Sequence, residues 1–256
     1  MIKIAEAFHG KKAFIAYLMA GDPDLRTSAE YILTAQEAGA DMIEIGIPFS
    51  DPIAEGEVIQ AASERALSGG TMLEDVFDMV GSIKEKMRIP MVFMTYANPV
   101  FVYGYGRFFA RCAETGVSGM IIPDMPFEEQ AEAKAAAGEH GIELVTMIAP
   151  TSSKKRIADI AQAAEGFIYL VSSMGVTGVR SEITTDLSAI VFEIKKATDV
   201  PVAIGFGIST PEQAEQLSKV ADGVIVGSAI VRIIAQFGTE AEHALHDYIS
   251  TMRPDR

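Results

Sequence analysis

The chain has 256 residues, 49% of them hydrophobic, and no low-complexity stretch. That is enough for two average domains or one large α/β barrel, and it argues against a disordered chain. Thirty-five acids against 21 bases leave a formal charge of −14, the wrong sign for binding nucleic acid or anionic lipid.

The one cysteine, Cys112, cannot form an internal disulfide, so nothing suggests an oxidising compartment. It sits in the helical pattern RFFARCAETGV, where a small buried filler is expected. The opening MIKIAEAFHGKK holds no long apolar segment, and no run approaches the length of a membrane span. These features read as cytoplasmic.

In chain order, residues 2–8 are expected to form a helix that caps the bottom of a barrel. The first apolar run is AFIAYLMA (13–20). The segment TSAEYILTAQEAGA follows as a helix, with Ala29, Ile32, Leu33 and Ala40 near one face and Gly39 at its end. DMIEIGI (41–47), PMVFMTY (90–96) and GMIIPD (119–124) are the next runs. PFEEQAEAKAAAGEHG predicts a helix with Pro126 and acids at its start and Gly138 near its stop. ELVTMIAP (143–150), GFIYLVS (166–172) and PVAIGFG (201–207) follow. A helix is predicted in TPEQAEQLSKV, with proline at N1 after Thr210, before the last run, GVIVGSAI (223–230). EAEHALHDYIS, near the end, lies outside the simple alternation.

Continuous apolar runs, rather than alternating ones, suit parallel strands covered on both faces. Eight βα units without a linker rich in Pro, Gly or Ser predict a (β/α)₈ TIM barrel, one domain over residues 1–256 with an extra N-terminal helix. The runner-up is a doubly wound open sheet, which more often has five or six strands and a glycine fingerprint after the first. Here AGDPDLRTS follows the first run instead.

In such a barrel the chemistry collects at the C-terminal strand ends. AIGFGIST (203–210) and VIVGSAIV (224–231) place glycine turns after the seventh and eighth strands. Glycine lets amides approach an anion, a helix starting at Gly227-Ser228 would aim its positive end at it, and Ser228 adds a hydroxyl. The long polar turn 171–185 reads as a lid over substrate. Glu44 interrupts an apolar strand, and no Lys or Arg lies within any of the eight runs to pair with it. An inward Glu44 among apolar neighbours would have a raised pKa and could serve as general acid and base.

Other chemistries have weaker support. There is no G-x-S-x-G elbow and no lysine at a strand end for a Schiff base. His243 and His246 on the last helix read as a solvated face rather than a metal site. The residues alone therefore point to a metal-free, phosphate-binding barrel that uses carboxylate acid–base chemistry.

The blocks IEIGIPFSDPIAEG, MTYANPVFVYG, IIPDMPFEE, GFIYLVSSMGVTGVR, PVAIGFGIST and DGVIVGSAIV resemble, in family order, the tryptophan synthase α-subunit family across essentially the whole chain. The resemblance implies retro-aldol cleavage of indole-3-glycerol phosphate to indole and glyceraldehyde 3-phosphate in the final stage of tryptophan biosynthesis. It also implies no cofactor in this chain, and a β subunit, carrying pyridoxal phosphate, that receives the indole within an α₂β₂ heterotetramer. On the family pattern Glu44 and Glu55 are catalytic. Glu44 moves the protons at indole C3 and the hydroxyl, and Glu55 stands where an aspartate pairs with the indole N–H. Tyr17, Ile59, Met94, Ile148, Tyr169 and Phe206 match the indole pocket. Thr177 and Gly178 match the lid, Gly178, Gly207, Gly227 and Ser228 the phosphate contacts, and Gly205 is a further substrate-binding position. Asp51, Tyr96, Asn98, Pro99 and Asp124 match loops used against the β partner.

One departure stands out. The family usually reads ADGP where this chain reads AEGE at 54–57. Glu55 adds a methylene, about an ångström of reach and one more rotor, and catalysis is sensitive to displacements of that size. Glu57 in place of proline is expected to loosen the loop. Two further readings follow. The chain could be a weakly cleaving, ligand-binding subunit that activates its β partner, or a stand-alone lyase that releases indole.

Overall fold

The structure, a computed structural model, describes residues 1–172, 187–205 and 207–253. Eight parallel strands close into a barrel in sequence order, from β1 beside β2 round to β8 beside β1. They are β1 (Ala13–Met19), β2 (Met42–Gly46), β3 (Met91–Met94), β4 (Gly119–Ile121), β5 (Glu143–Ile148), β6 (Ile168–Val171), β7 (Val202–Gly205) and β8 (Gly223–Val226). Each falls inside one of the eight apolar runs, so the TIM-barrel reading holds and the open sheet does not.

Helices form the outer ring. After β1 comes α1 (Leu25–Glu37); after β2, α2 (Glu57–Ser68) and α3 (Leu73–Ile83); after β3, α4 (Ala97–Tyr103) and α5 (Tyr105–Thr115). The later helices are α6 (Ala131–Glu139), α7 (Lys154–Ala163), α8 (Leu187–Lys195), α9 (Pro211–Ser218), α10 (Ser228–Phe237) and α11 (Glu242–Met252). No helix among the described residues is long and apolar enough to cross a membrane.

Local signals explain several ends. Asp24 caps α1 by accepting from Thr27 N at 2.8 Å. Thr210 and Gln213 form a capping box around Pro211 at the start of α9. The helix expected from Pro126 starts later. A 3₁₀ turn, Phe127–Glu129, precedes α6, and Gly138 lies within the helix. The stop is at Gly141 (φ +71), whose left-handed backbone suits glycine.

Strand side chains alternate between two apolar layers. Phe14, Ala16, Leu18, Ile43, Ile45 and Phe93 pack outward against the helices. Ala13, Ile15, Tyr17, Met19, Met42, Val92, Met94, Ile121 and Val145 fill the barrel. Burying one such Ile or Phe contributes about 1.5–3 kcal/mol. Residues 2–8 close the bottom as expected, although as a 3₁₀ helix (Ile4–Phe8). Ile4 is fully buried in the inner layer, and Phe8 packs on Phe167 with ring centroids 5.8 Å apart. α11 packs against α1 by its buried face of Leu245, Ile249 and Met252. His243 and His246 remain exposed on it beside Asp247. Cys112 is buried in α5.

Candidate active site

Glu44 follows the parity of β2. Met42 points into the barrel and Ile43 and Ile45 point out, so Glu44 points in, level with Tyr17 on β1 and Val92 on β3. It is 1% exposed. Burial, with the charge of Glu55 added, raises its pKa from 4.5 to about 8.

Glu55 reaches the same space from the loop after β2. The loop is held by hydrogen bonds rather than loose. Gln60 Nε2 donates to Glu55 O at 2.7 Å, Glu55 N to Pro52 O at 3.2 Å, and Ala54 N to the Tyr96 hydroxyl at 3.0 Å. Glu57 does not add charge to that loop. It is the exposed first residue of α2, where a negative side chain complements the helix dipole. Glu55 itself is 5% exposed, and burial raises its pKa to about 7. One oxygen of each carboxyl, Oε2, is buried without a hydrogen-bond partner, as is the Tyr17 hydroxyl. Buried polar atoms are seldom left so, and these three surround one cavity.

That cavity encloses about 400 Å³, the open space at its mouth included. Glu44 and Glu55 line it with Tyr17, Ile59, Met94 and Tyr169. Its other side is formed by Gly207, Ile225, Gly227 and Ser228. Gly207 has φ +83, which suits glycine, and Gly227 precedes α10 as its N-cap. The first helical amide bond there runs from Val231 N to Gly227 O at 3.0 Å. The amides of Ser228, Ala229 and Ile230 therefore have no acceptor within the helix and can meet an anion. The arrangement pairs two buried carboxyls in an apolar chamber with a helix N-terminus whose free amides face the same space.

Several expected site residues lie elsewhere. Ile148 is fully buried, but in the outer layer between barrel and helices, because Val145 and Met147 take the inward positions of β5. It does not reach the cavity. Gly205 does not line it either: a methyl group there would lie 2.3 Å from the Tyr169 hydroxyl oxygen, so this glycine makes room for the tyrosine. Gly46 does the same for Tyr17, at 2.2 Å. Tyr96 is not a surface residue. It is 1% exposed, stacks on Phe49 at 5.2 Å and anchors the acid loop, so it presents no face to a partner. Thr177, Gly178, Phe206 and the lid expected after Ser172 lie outside the described residues. Ile225 was missed, although its inward parity two residues before Gly227 could have revealed it.

Asp51, Asn98 and Asp124 are exposed and Pro99 is half-buried. Asp124 Oδ1 accepts from Ala97 N at 2.8 Å, and so ties the loop after β4 to the start of α4. The apolar side chains Ile53, Phe101 and Val102 on the same loops and helix are 74%, 65% and 77% exposed. No group of three or more His, Cys, Asp or Glu among the described residues is placed to hold a metal ion.

The family model for the tryptophan synthase alpha chain matches residues 5–254. The tryptophan synthase alpha chain of Lactiplantibacillus plantarum is 50% identical over 253 residues, covering 99% of this chain and 96% of that one. That of Lacticaseibacillus casei is 47% identical, with 99% and 95% covered. A solved tryptophan synthase from Mycobacterium tuberculosis superposes with a TM-score of 0.89 at 35% identity, covering 99% of each chain. With its barrel, its paired carboxyls and a helix N-terminus at the cavity, this chain belongs to the tryptophan synthase alpha chain family, lyases that cleave indole-3-glycerol phosphate to indole and glyceraldehyde 3-phosphate.

Proposed function

We propose that cleavage occurs in the cavity at the mouth of the barrel, with Glu44 as acid and base and Glu55 as the partner of the indole N–H. The carrying observation is the pair of buried carboxyls, each with an unpartnered oxygen, lining one apolar chamber. Their environments separate them: Glu44 titrates near about 8 and Glu55 near about 7. Both are raised by burial and Glu44 also faces the charge of Glu55, so Glu44 is the better proton donor and Glu55 the better charge stabiliser.

Glu44 gives its proton to ring carbon C3, and Glu55 accepts the N–H hydrogen bond as positive charge develops on the nitrogen. The Glu44 carboxylate then takes the proton of the adjacent glycerol hydroxyl. The carbon–carbon bond breaks as that oxygen becomes the aldehyde carbonyl, and the bonding pair returns to the ring and neutralises the nitrogen. Glu44 ends the cycle protonated, as it began. Tyr17, Ile59, Met94 and Tyr169 hold the ring, and Gly207, Gly227 and Ser228 the phosphate, with Thr177, Gly178 and Phe206 assigned by family likeness alone.

Both proton transfers fall to one carboxyl, so the chain works without a cofactor of its own; pyridoxal phosphate belongs to the β partner. The partner docks on Asp51, Asn98, Pro99 and Asp124 with the neighbouring apolar Ile53, Phe101 and Val102, in an α₂β₂ assembly of single-domain barrels. The enzyme acts in the cytoplasm, in keeping with its one buried cysteine.

The test is release of glyceraldehyde 3-phosphate from indole-3-glycerol phosphate, with and without a β chain. Cleavage that rises on adding the β chain and is lost in Glu44→Gln is expected. A wild-type rate in that variant would sink the mechanism. Equally fast cleavage by the chain alone would make it a stand-alone lyase, and none in either case a binding subunit.

A further inference from the structure

The Tyr17 hydroxyl is a buried donor with nothing to donate to. The ring is wedged between two glycines. A methyl group at Gly227 would sit 3.3 Å from Tyr17 Cβ, and one at Gly46 would sit 2.2 Å from the hydroxyl oxygen. The base of the ring therefore lies against the phosphate side, and its tip lies over the mouth end of β2. That is two residues beyond Glu44, where the loop carrying Glu55 departs.

A tip at this point would need no polar atom if it served only to wall in an apolar ring. Phenylalanine would fill the same space without leaving a buried hydroxyl unsatisfied. The nearby polar atoms without partners are Glu44 Oε2 and Glu55 Oε2. The titratable groups acting on the hydroxyl are Glu55 first, then Glu44, Tyr96 at the N-cap of α4 and Tyr169 from β6. The Tyr96 hydroxyl already accepts from Ala54 N, and the Glu44 carboxyl must stay open to the substrate. Glu55 is the acceptor the geometry favours, because the hydroxyl sits over Gly46, where the loop carrying Glu55 leaves β2, and Glu55 Oε2 has no partner.

We propose that in the substrate complex the Tyr17 hydroxyl donates a hydrogen bond to the Glu55 carboxylate and so positions it, leaving its other oxygen for the indole N–H. The pairing rests on the site assignment above. It gives the longer acid of this chain a second fixed point, which offsets the extra rotor. Tyr17 is thus a positioning residue for Glu55 as well as part of the ring wall.

The experiment is the pH dependence of kcat/KM for the full chain, with β chain added, in wild type, Tyr17→Phe, Glu55→Gln and the double variant. Loss of a hydrogen bond to a charged group is expected to lower kcat/KM about 10-fold in Tyr17→Phe. The carboxylate loses a donor, so the acidic limb should move up by about one pH unit. In the Glu55→Gln background the same change should have little further effect. Thermal stability of Tyr17→Phe should match or exceed wild type, because the hydroxyl it removes is unpartnered. An unmoved acidic limb, or an equal loss in the Glu55→Gln background, would overturn the proposal. Full activity of Glu55→Gln itself would instead overturn the parent site assignment.

Discussion

Replacing Glu44 with glutamine is expected to stabilise the fold at neutral pH while ending catalysis. Glu44 is 1% exposed, and its pKa rises from 4.5 to about 8 on folding. Above pH 4.5 the unfolded chain has released this proton while the folded chain still holds it, so unfolding becomes steadily easier as pH rises. The penalty grows by about 1.4 kcal/mol per pH unit and levels off only above pH 8. At pH 7 it amounts to about 3 kcal/mol. Glutamine has nearly the same shape and no proton to lose, so the variant escapes the penalty.

The measurement is urea unfolding of both proteins at pH 5 and pH 8. The advantage of Glu44→Gln should widen by about 4 kcal/mol between the two, with the denaturant slope unchanged. At pH 7 the melting temperature should rise by about 6–12 °C for a chain of this size. Cleavage should fall by about 10²–10⁴-fold. Comparing two pH values cancels any packing difference between the amide and the protonated acid. An advantage of the same size at pH 5 and pH 8 would refute the claim that Glu44 is held protonated by burial.

Three further outcomes follow from the same geometry. The pH profile of kcat/KM should be bell-shaped, with limbs at about 7 and about 8 that belong to the interacting pair of Glu44 and Glu55. A flat profile from pH 6 to 9 would contradict the division of roles. Glu55→Asp should withdraw the carboxylate by about an ångström and cut kcat/KM about 10–100-fold, whereas a large gain in rate would show the longer acid to be a handicap. Ile53→Asp and Phe101→Asp, at positions 74% and 65% exposed, should leave urea stability within about 0.5 kcal/mol. In titrations with a β chain they should weaken association at least about 10-fold; unchanged affinity would remove this face from the interface.

The strands were legible because a parallel barrel needs continuous apolar runs, and the orientation of Glu44 follows from its neighbours. What the runs do not disclose is parity at their ends. Ile148 is as apolar as the inward Val145 and is fully buried, yet it serves the outer layer. Tyr96 shows a second gap. Its hydroxyl is held by Ala54 N, 42 residues away in sequence, a tertiary bond that no local pattern encodes. The late start of α6 is a third. Pro126 is compatible with a helix start, but it caps a 3₁₀ turn instead, and α6 begins only after that turn.

The cavity exists because inward positions at the mouth are glycines. Gly46 ends β2, Gly205 ends β7 and Gly227 follows β8, and none can carry even a methyl group where it stands without touching a tyrosine. Tyr17 and Tyr169 lean into that space, which leaves a chamber lined by aromatic faces rather than a filled core. Two carboxyls then share a buried chamber where desolvation raises the pKa of both, and Glu44, which also faces the charge of Glu55, is raised further. The stability given up by unpartnered oxygens and a raised pKa is thereby concentrated at the atoms that the proposed mechanism uses to exchange protons or hydrogen bonds with substrate. A sequence that places an acid in an apolar strand and glycines at nearby strand ends is describing one design: a core left unfinished where a ligand completes it.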